Sequence, residues 1–116
     1  MYDLSTRAET VITNSYCRHR FISLYEDIIV WEDNFDIYIY DLSTHAQAQL
    51  TNDEAGQISP RIYKDMIVWS DYRNGNVDIY MYDLSRNTEA RITNNSANQY
   101  SPDIYEDKIV WSDDRN

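Results

Sequence analysis

Glycine is scarce in this sequence: only Gly56 and Gly75 occur in 116 residues. That excludes a Gly-rich phosphate loop, a dinucleotide fingerprint and a G-x-S-x-G nucleophile elbow together, since each needs glycines at fixed offsets. A single cysteine, Cys17, permits no internal disulfide and reads as a small buried residue. Two histidines, His19 and His45, stand alone, with no second His or Cys at metal-ligand spacing. His45 falls in an exposed loop. No stretch approaches the ~20 apolar residues of a spanning helix, and no apolar segment follows a basic start as in a signal peptide. Cations are few as well. Twenty Asp and Glu against ten Lys and Arg give a net charge of −10, which argues against nucleic acid and anionic membrane as partners, because both are bound through cationic contacts.

What is present is aromatic and repetitive. Eleven tyrosines and three tryptophans suit β-sheet. Tyr-Asp-Leu-Ser occurs at 2–5, 40–43 and 82–85, and Ile-Val-Trp at 29–31, 67–69 and 109–111. Thr-Asn recurs at 13–14, 51–52 and 93–94, and Tyr-x-Asp at Tyr25/Asp27, Tyr63/Asp65 and Tyr105/Asp107. In every copy the Tyr of the first motif precedes the Trp of the second by 29 residues. Repeats are therefore assigned to 1–38, 39–80 and 81–116 of a single domain, 1–116, and a period near 42 is the length of one four-stranded propeller blade.

One interval varies: 11 residues from Trp69 to Tyr80, but 7 from Trp31 to Tyr38. Asn74-Gly75 is a type I′ hairpin signal. Centring a hairpin there places Trp69 opposite Tyr80 and Asp71 opposite Asp78. Centring the short copy on Asn34-Phe35 places Trp31 opposite Tyr38 and Asp33 opposite Asp36. Two residues are lost from each arm, and an even change keeps every side chain on its face, whereas a slip of one inverts them all. The Trp–Tyr cross-strand pair survives, worth ~0.2–1 kcal/mol over an Ala pair. Phe35 in place of Gly argues against a type I′ turn in that copy.

Each repeat reads as four strands, typified by Ser101–Tyr105, Lys108–Arg115, Val77–Leu84 and Glu89–Thr93. The second and third are apolar on both faces, as strands buried on both sides are. The fold class is all-β, a propeller of four-stranded antiparallel blades. The chain starts in the third strand of one blade and ends in the second of another. Together these orphaned strands make one further blade, three per chain. Propellers typically need four to eight, so a homodimer completing a six-bladed ring is expected. Met1 lying directly on a repeat motif fits a cut piece of an array or a very economical gene.

The segments SPDIYEDKIVWSDDRN (101–116) and SDYRNGNVDIYMYDLS…ARITNN (70–95) resemble the TolB-type, WD40-like β-propeller repeats, and those of archaeal cell-surface proteins are especially similar. The likeness covers the whole chain. It implies a first strand that lines a central channel, a ring of about six or seven blades, and a family that includes periplasmic, cell-surface and enzyme-appended propellers. The first repeat departs from the pattern by carrying Cys17-Arg18-His19-Arg20-Phe21-Ile22 where the third has Ala97-Asn98-Gln99-Tyr100-Ser101-Pro102.

Candidate chemistry is thin. Asp71 and Asp78, facing across a hairpin, are weak candidates for a hard cation. The plainer reading is that Arg73 or a neighbouring Arg neutralises them, or that water does, in which case Asp71→Asn leaves stability nearly unchanged. No cofactor is expected. No serine sits in a triad-like context, so an enzyme is not expected. Strands alternate direction, so the loops before each first strand and the turns between second and third strands share one end. That end gathers Arg18, His19, Arg20, Gln57, Ile58, Gln99, Tyr100, Arg73 and Asn76, and it is where the copies differ. It is the expected ligand-binding face, suited to an anion or acidic peptide because Arg recognises carboxylates bidentately. The first expectation for function is a non-catalytic scaffold for protein interaction and assembly, of surface or extracellular type. The alternatives are a small-molecule or anion-binding module at the channel mouth, and an excised fragment of a larger surface protein or hydrolase.

Overall fold

The computed structural model describes residues 1–13 and 19–115. Cys17 and Arg18, two residues with expectations from the sequence, lie outside them. Twelve strands follow in order: β1 (Tyr2–Asp3), β2 (Ala8–Glu9), β3 (His19–Tyr25), β4 (Ile28–Asp33), β5 (Asp36–Asp41), β6 (Ala46–Gln49), β7 (Gln57–Tyr63), β8 (Met66–Asp71), β9 (Asp78–Asp83), β10 (Thr88–Arg91), β11 (Gln99–Tyr105) and β12 (Lys108–Asp113). They form two complete antiparallel sheets, β3-β4-β5-β6 and β7-β8-β9-β10, and two two-stranded units, β1-β2 and β11-β12. Each complete sheet takes its first two strands from one sequence repeat and its fourth from the next, and its third strand crosses the boundary between them.

The register is the one that the motif spacing sets. Trp69 pairs with Tyr80 and Asp71 with Asp78. Trp31 pairs with Tyr38 and Asp33 with Asp36. The indole and phenol rings stack at 6.3 Å and 24° in the longer copy and at 6.0 Å and 16° in the shorter. Sheets pack face to face: β7 lies against β3, β4 and β5, and β11 against β7, β8 and β9. Between them Val30, Ile37, Ile62, Ile67, Trp69 and Tyr80 form the buried cluster. Burial of such side chains contributes roughly 1.5–3 kcal/mol each before entropy is charged against it.

The other repeated motifs close local hydrogen bonds. In Tyr-Asp-Leu-Ser the Asp carboxylate accepts from the backbone N–H and hydroxyl of the Ser two residues on, as Asp41 does from Ser43 and Asp83 from Ser85. These are Asx turns, and the Ser hydroxyl leads in holding both carboxyls below their ordinary value. The Thr of Thr-Asn accepts the first core amide of the third strand, Ile37 N to Thr51 Oγ1 at 2.8 Å and Ile79 N to Thr93 Oγ1 at 2.9 Å. Each first strand also bulges, with Phe21, Ser59 and Ser101 at φ of 51, 57 and 53°.

The turn assignments are corrected. Asn34 and Phe35 both lie at positive φ, 53 and 67°, the pattern of a type I′ turn, which Phe35 was expected to prevent. At Asn74-Gly75 only Gly75 is left-handed, at 86°, and its N–H donates to Tyr72 O at 3.3 Å. Loop length explains both. Two residues joining twisted strands leave the primed turn as the favoured geometry. Six residues, 72–77, have room for an ordinary tight turn that ends on glycine.

A left-handed aromatic residue costs roughly 1–2 kcal/mol relative to Gly. Phe35 is exposed, and what it covers is the Cα of Gly56, where an added Cβ would sit 3.5 Å from the Phe35 Cβ. Phe35→Gly is therefore expected to raise the unfolding free energy by about 1 kcal/mol. Denaturant titration checks it, and a loss would show that the packing on Gly56 outweighs the strain.

Candidate functional site

The end of the sheets that carries the β4–β5 and β8–β9 turns gathers the chemically capable side chains. The strand register aligns His19 with Asp33, Gln57 with Asp71 and Gln99 with Asp113, so each first strand starts beside the Asp that ends its second. Strand pairing thus brings the sequence-selected residues that the structure describes to one end.

Most of them are committed to the fold. Asp71 is fully buried. It accepts from Trp69 Nε1 at 2.9 Å, from Arg73 N and Nε at 2.9 Å, and from Arg73 Nη2 at 2.6 Å. Arg73 also reaches Glu89 at 2.6 Å and lies 4.2 Å over the Tyr80 ring. Its charge is held more firmly than usual, chiefly by the bond to Asp71. Asp78, equally buried, accepts from Arg91 Nη2 at 2.7 Å, with Asn74, Asn76 and Thr93 around it. The two carboxylates are thus divided between two guanidinium groups. Of the alternatives expected for them, neutralisation by Arg73 and a second arginine is the one the structure holds, and not solvation: both carboxylates lie in the interior, paired with guanidinium groups that stay partly open to water. Among the described residues no group of three metal-ligating side chains converges.

Asn76 is likewise occupied, its amide bridging to Asn95 O at 2.9 Å and Ala97 O at 3.2 Å. Gln57 and Gln99 are fully buried, each donating to a loop carbonyl, Ala55 O at 2.6 Å and Ala97 O at 2.8 Å. The Oε1 of each has no hydrogen-bond partner among the described residues. Tyr100 is exposed and donates to Asp114 at 2.9 Å, and that bond holds its phenol above the usual value. His19 takes the Gln57 position in the first sheet. It meets Thr13 Oγ1 at 2.9 Å, lies 3.8 Å from Asp33, and tilts against Trp31 at 5.9 Å. Arg20 is exposed and faces Glu32 in the register. Of the described basic residues selected on this end, Arg20 is the one presented to solvent.

Sequence reading passed over two features. One is the Trp-x-Asp-x-Arg clasp, present as Trp69/Asp71/Arg73 and again as Trp111/Asp113/Arg115. Its spacing was visible; the first copy lacks the Arg because its hairpin is short. The other is Glu32, buried where the equivalent residues are Ser70 and Ser112. Burial raises the Glu32 carboxyl, against the Ser59 amide and Arg20, which lower it. A carboxyl raised on folding makes ionisation oppose the folded state, so its contribution is most favourable below the unfolded value and is lost as pH rises through the folded one. Glu32→Gln should therefore gain stability over the parent at pH 7, with the gap closing at acid pH. Urea midpoints at two pH values test this, and a gap that widens toward acid would contradict it.

Four-stranded antiparallel sheets that pack on one another through their first strands are the blade units of a β-propeller, and TolB propellers are among the solved structures that share this fold. TolB from Acinetobacter baumannii superposes with a TM-score of 0.74 at 24% identity, over 95% of this chain and 30% of that one. The putative TolB from Agrobacterium tumefaciens gives 0.67 at 18% identity, over 78% of this chain and 35% of that one. The tricorn protease gives 0.59 at 17% identity, over 66% of this chain and 8% of that one. The chain thus spans about a third of the length of the TolB chains it matches. No family model matches it, and no curated protein sequence does.

Proposed function

We propose that the chain is a non-catalytic β-propeller scaffold for protein–protein interaction and assembly, of surface or extracellular type. The observation that carries this reading is apolar sheet surface left open on both flanks of the stacked sheets, at Ile22 and Leu24 on one and Val110 and Trp111 on the other. Exposed apolar side chains on a sheet face are the kind of surface that a protein partner covers. The end-face polar groups, by contrast, are largely spent on internal bonds. The likeness to TolB propellers supports the scaffold.

A second reading is a small-anion module at the channel mouth, favoured by the exposure of Arg20 in a chain of net charge −10. Thermal unfolding in the presence of anions, divalent cations and sugars separates the two. A ligand present at about 100 times its dissociation constant stabilises by about 2.7 kcal/mol. The scaffold reading expects no such shift from any small molecule. A shift with an anion that vanishes in Arg20→Ser would replace it with the anion module.

A further inference from the structure

We propose that two copies of this chain close a single ring by sharing blades, with the β11–β12 unit of one copy seated between β1 and β3 of the other. This deepens the scaffold reading and rests on it by naming its partner as a second copy.

Blade-to-blade packing in the structure defines what is missing. A first strand packs on the first three strands of the sheet before it, as β7 does on β3, β4 and β5, and as β11 does on β7, β8 and β9. By that rule β3 should rest on three strands. Of these the chain carries one, β1, with the same Tyr-Asp-Leu-Ser motif as the third strands β5 and β9, and β1 is not packed on β3 as β5 is on β7. Where the other two would lie there is an open groove of about 430 Å³, walled by Met1, Val11 and Ile12 on one side and by Ile22, Leu24 and Trp31 on the other.

Equivalent positions show that both flanks are built to be covered. Ile62 and Ile104 are 6% and 8% exposed, but Leu24, at the same place in β3, is 57% exposed. Val30 and Val68 are 0% exposed, but Val110, at the same place in β12, is 64% exposed. The first surface lacks a preceding first and second strand, and the second lacks a third and fourth. Each is the other's complement. Tyr25, Tyr63 and Tyr105 step along the inner strands with ring centroids 4.9 Å apart at both steps. The next step from Tyr105 is Tyr25 of a second copy.

The complete sheets supply the register. Met66 pairs with Asp83 and Ile67 with Tyr82, and Leu84 N donates to Asp65 O at 2.8 Å. Ile28 pairs with Asp41 and Ile29 with Tyr40, and Leu42 N donates to Asp27 O at 2.7 Å. The same motifs therefore place Lys108 opposite Asp3 and Ile109 opposite Tyr2 across the junction, with Leu4 N donating to Asp107 O. Two complete sheets and two halves in each copy give six blades for two copies, inside the usual range of about four to eight, whereas three copies exceed it. A closed two-fold arrangement is also the commonest for oligomers.

The test is mass, then register. Light scattering of the 116-residue chain at micromolar concentration should give twice 13.8 kDa, falling to 13.8 kDa in Trp111→Glu. In a Cys17→Ser background, co-refolded Tyr2→Cys and Ile109→Cys chains should form a disulfide-linked pair on mild oxidation. Directly opposed residues bring their Cα atoms within disulfide range, roughly 4.5–5.5 Å. Tyr2→Cys with Val110→Cys should give at least tenfold less, because the neighbouring residue points to the other face. A parent chain of 13.8 kDa, a trimer, or equal cross-linking of the two pairs would each overturn the proposal. The two readings fail separately. A silent ligand panel with a monomeric chain removes the shared blades and keeps the scaffold. A ligand-stabilised chain that still cross-links removes the scaffold and keeps the shared blades.

Discussion

Trp69→Ala is expected to lower the unfolding free energy by about 3–5 kcal/mol, the usual range for deleting a buried tryptophan. Trp69 is fully buried and stacks on Tyr80, which in turn supports the Arg73 guanidinium. Alanine leaves a cavity between sheets, and rigid strands on both sides prevent its collapse. It also takes the indole N–H from Asp71, where it donates at 2.9 Å. Trp31 tests that second contribution. It is buried and stacked in the same way, but its Nε1 has no hydrogen-bond partner among the described residues. Trp31→Ala should therefore cost less, by roughly 1.5 kcal/mol, the value of a hydrogen bond to a charged group. Urea unfolding of the two variants at one protein concentration measures the difference. Equal losses would mean that packing alone sets the weight of this position.

The comparison shows what the repeat makes legible. Strand boundaries and cross-strand partners follow from motif spacing, because a β-strand alternates with period two and the shortened hairpin loses the same number of residues from each arm. That reasoning places Trp31 on Tyr38 without any knowledge of the turn between them. The turn itself escapes it. Eleven of the described non-glycine residues have positive φ, among them Phe21, Ser59 and Ser101 in the bulges. Composition gives no hint of left-handed backbone in a chain with two glycines, because here the two flanking strands impose the conformation. The end face escapes it for a different reason. Alternation says which side of a sheet a residue faces, but it does not say whether a neighbouring loop folds over that side. The loop at 94–98 folds over Asn76 and Gln99, and the loop around Ala55 over Gln57, so residues selected as ligand contacts become internal ties.

Asp71→Asn should cost about 3 kcal/mol, near the lower end for breaking a buried ion pair because Arg73 keeps partial access to water. The carboxylate meets donors on every side: the Trp69 indole, the Arg73 amide and two guanidinium nitrogens. Asparagine has one acceptor oxygen, so its amide nitrogen must face one of these donors. The clash leaves a buried N–H unpaired and strips Arg73 of its charge partner, and neither loss can be relieved by rotating the amide. Arg73 would retain Glu89, whose side chain is more open to water, and an exposed pair restores ~0–1 kcal/mol. Asp107→Asn provides the control, since the Asp107–Lys108 pair is almost wholly exposed and its loss should leave the unfolding midpoint in place. Chelator should leave the parent's midpoint unchanged as well, because the oxygens of Asp71 and Asp78 are taken up by arginine and amide donors. Thermal and urea unfolding of the two variants, with and without chelator, decide the matter. An Asp71→Asn chain as stable as the parent would show that the clasp with Arg73 contributes nothing net. A parent destabilised by chelator would show that a cation, and not Arg73 and Arg91 alone, balances the two carboxylates.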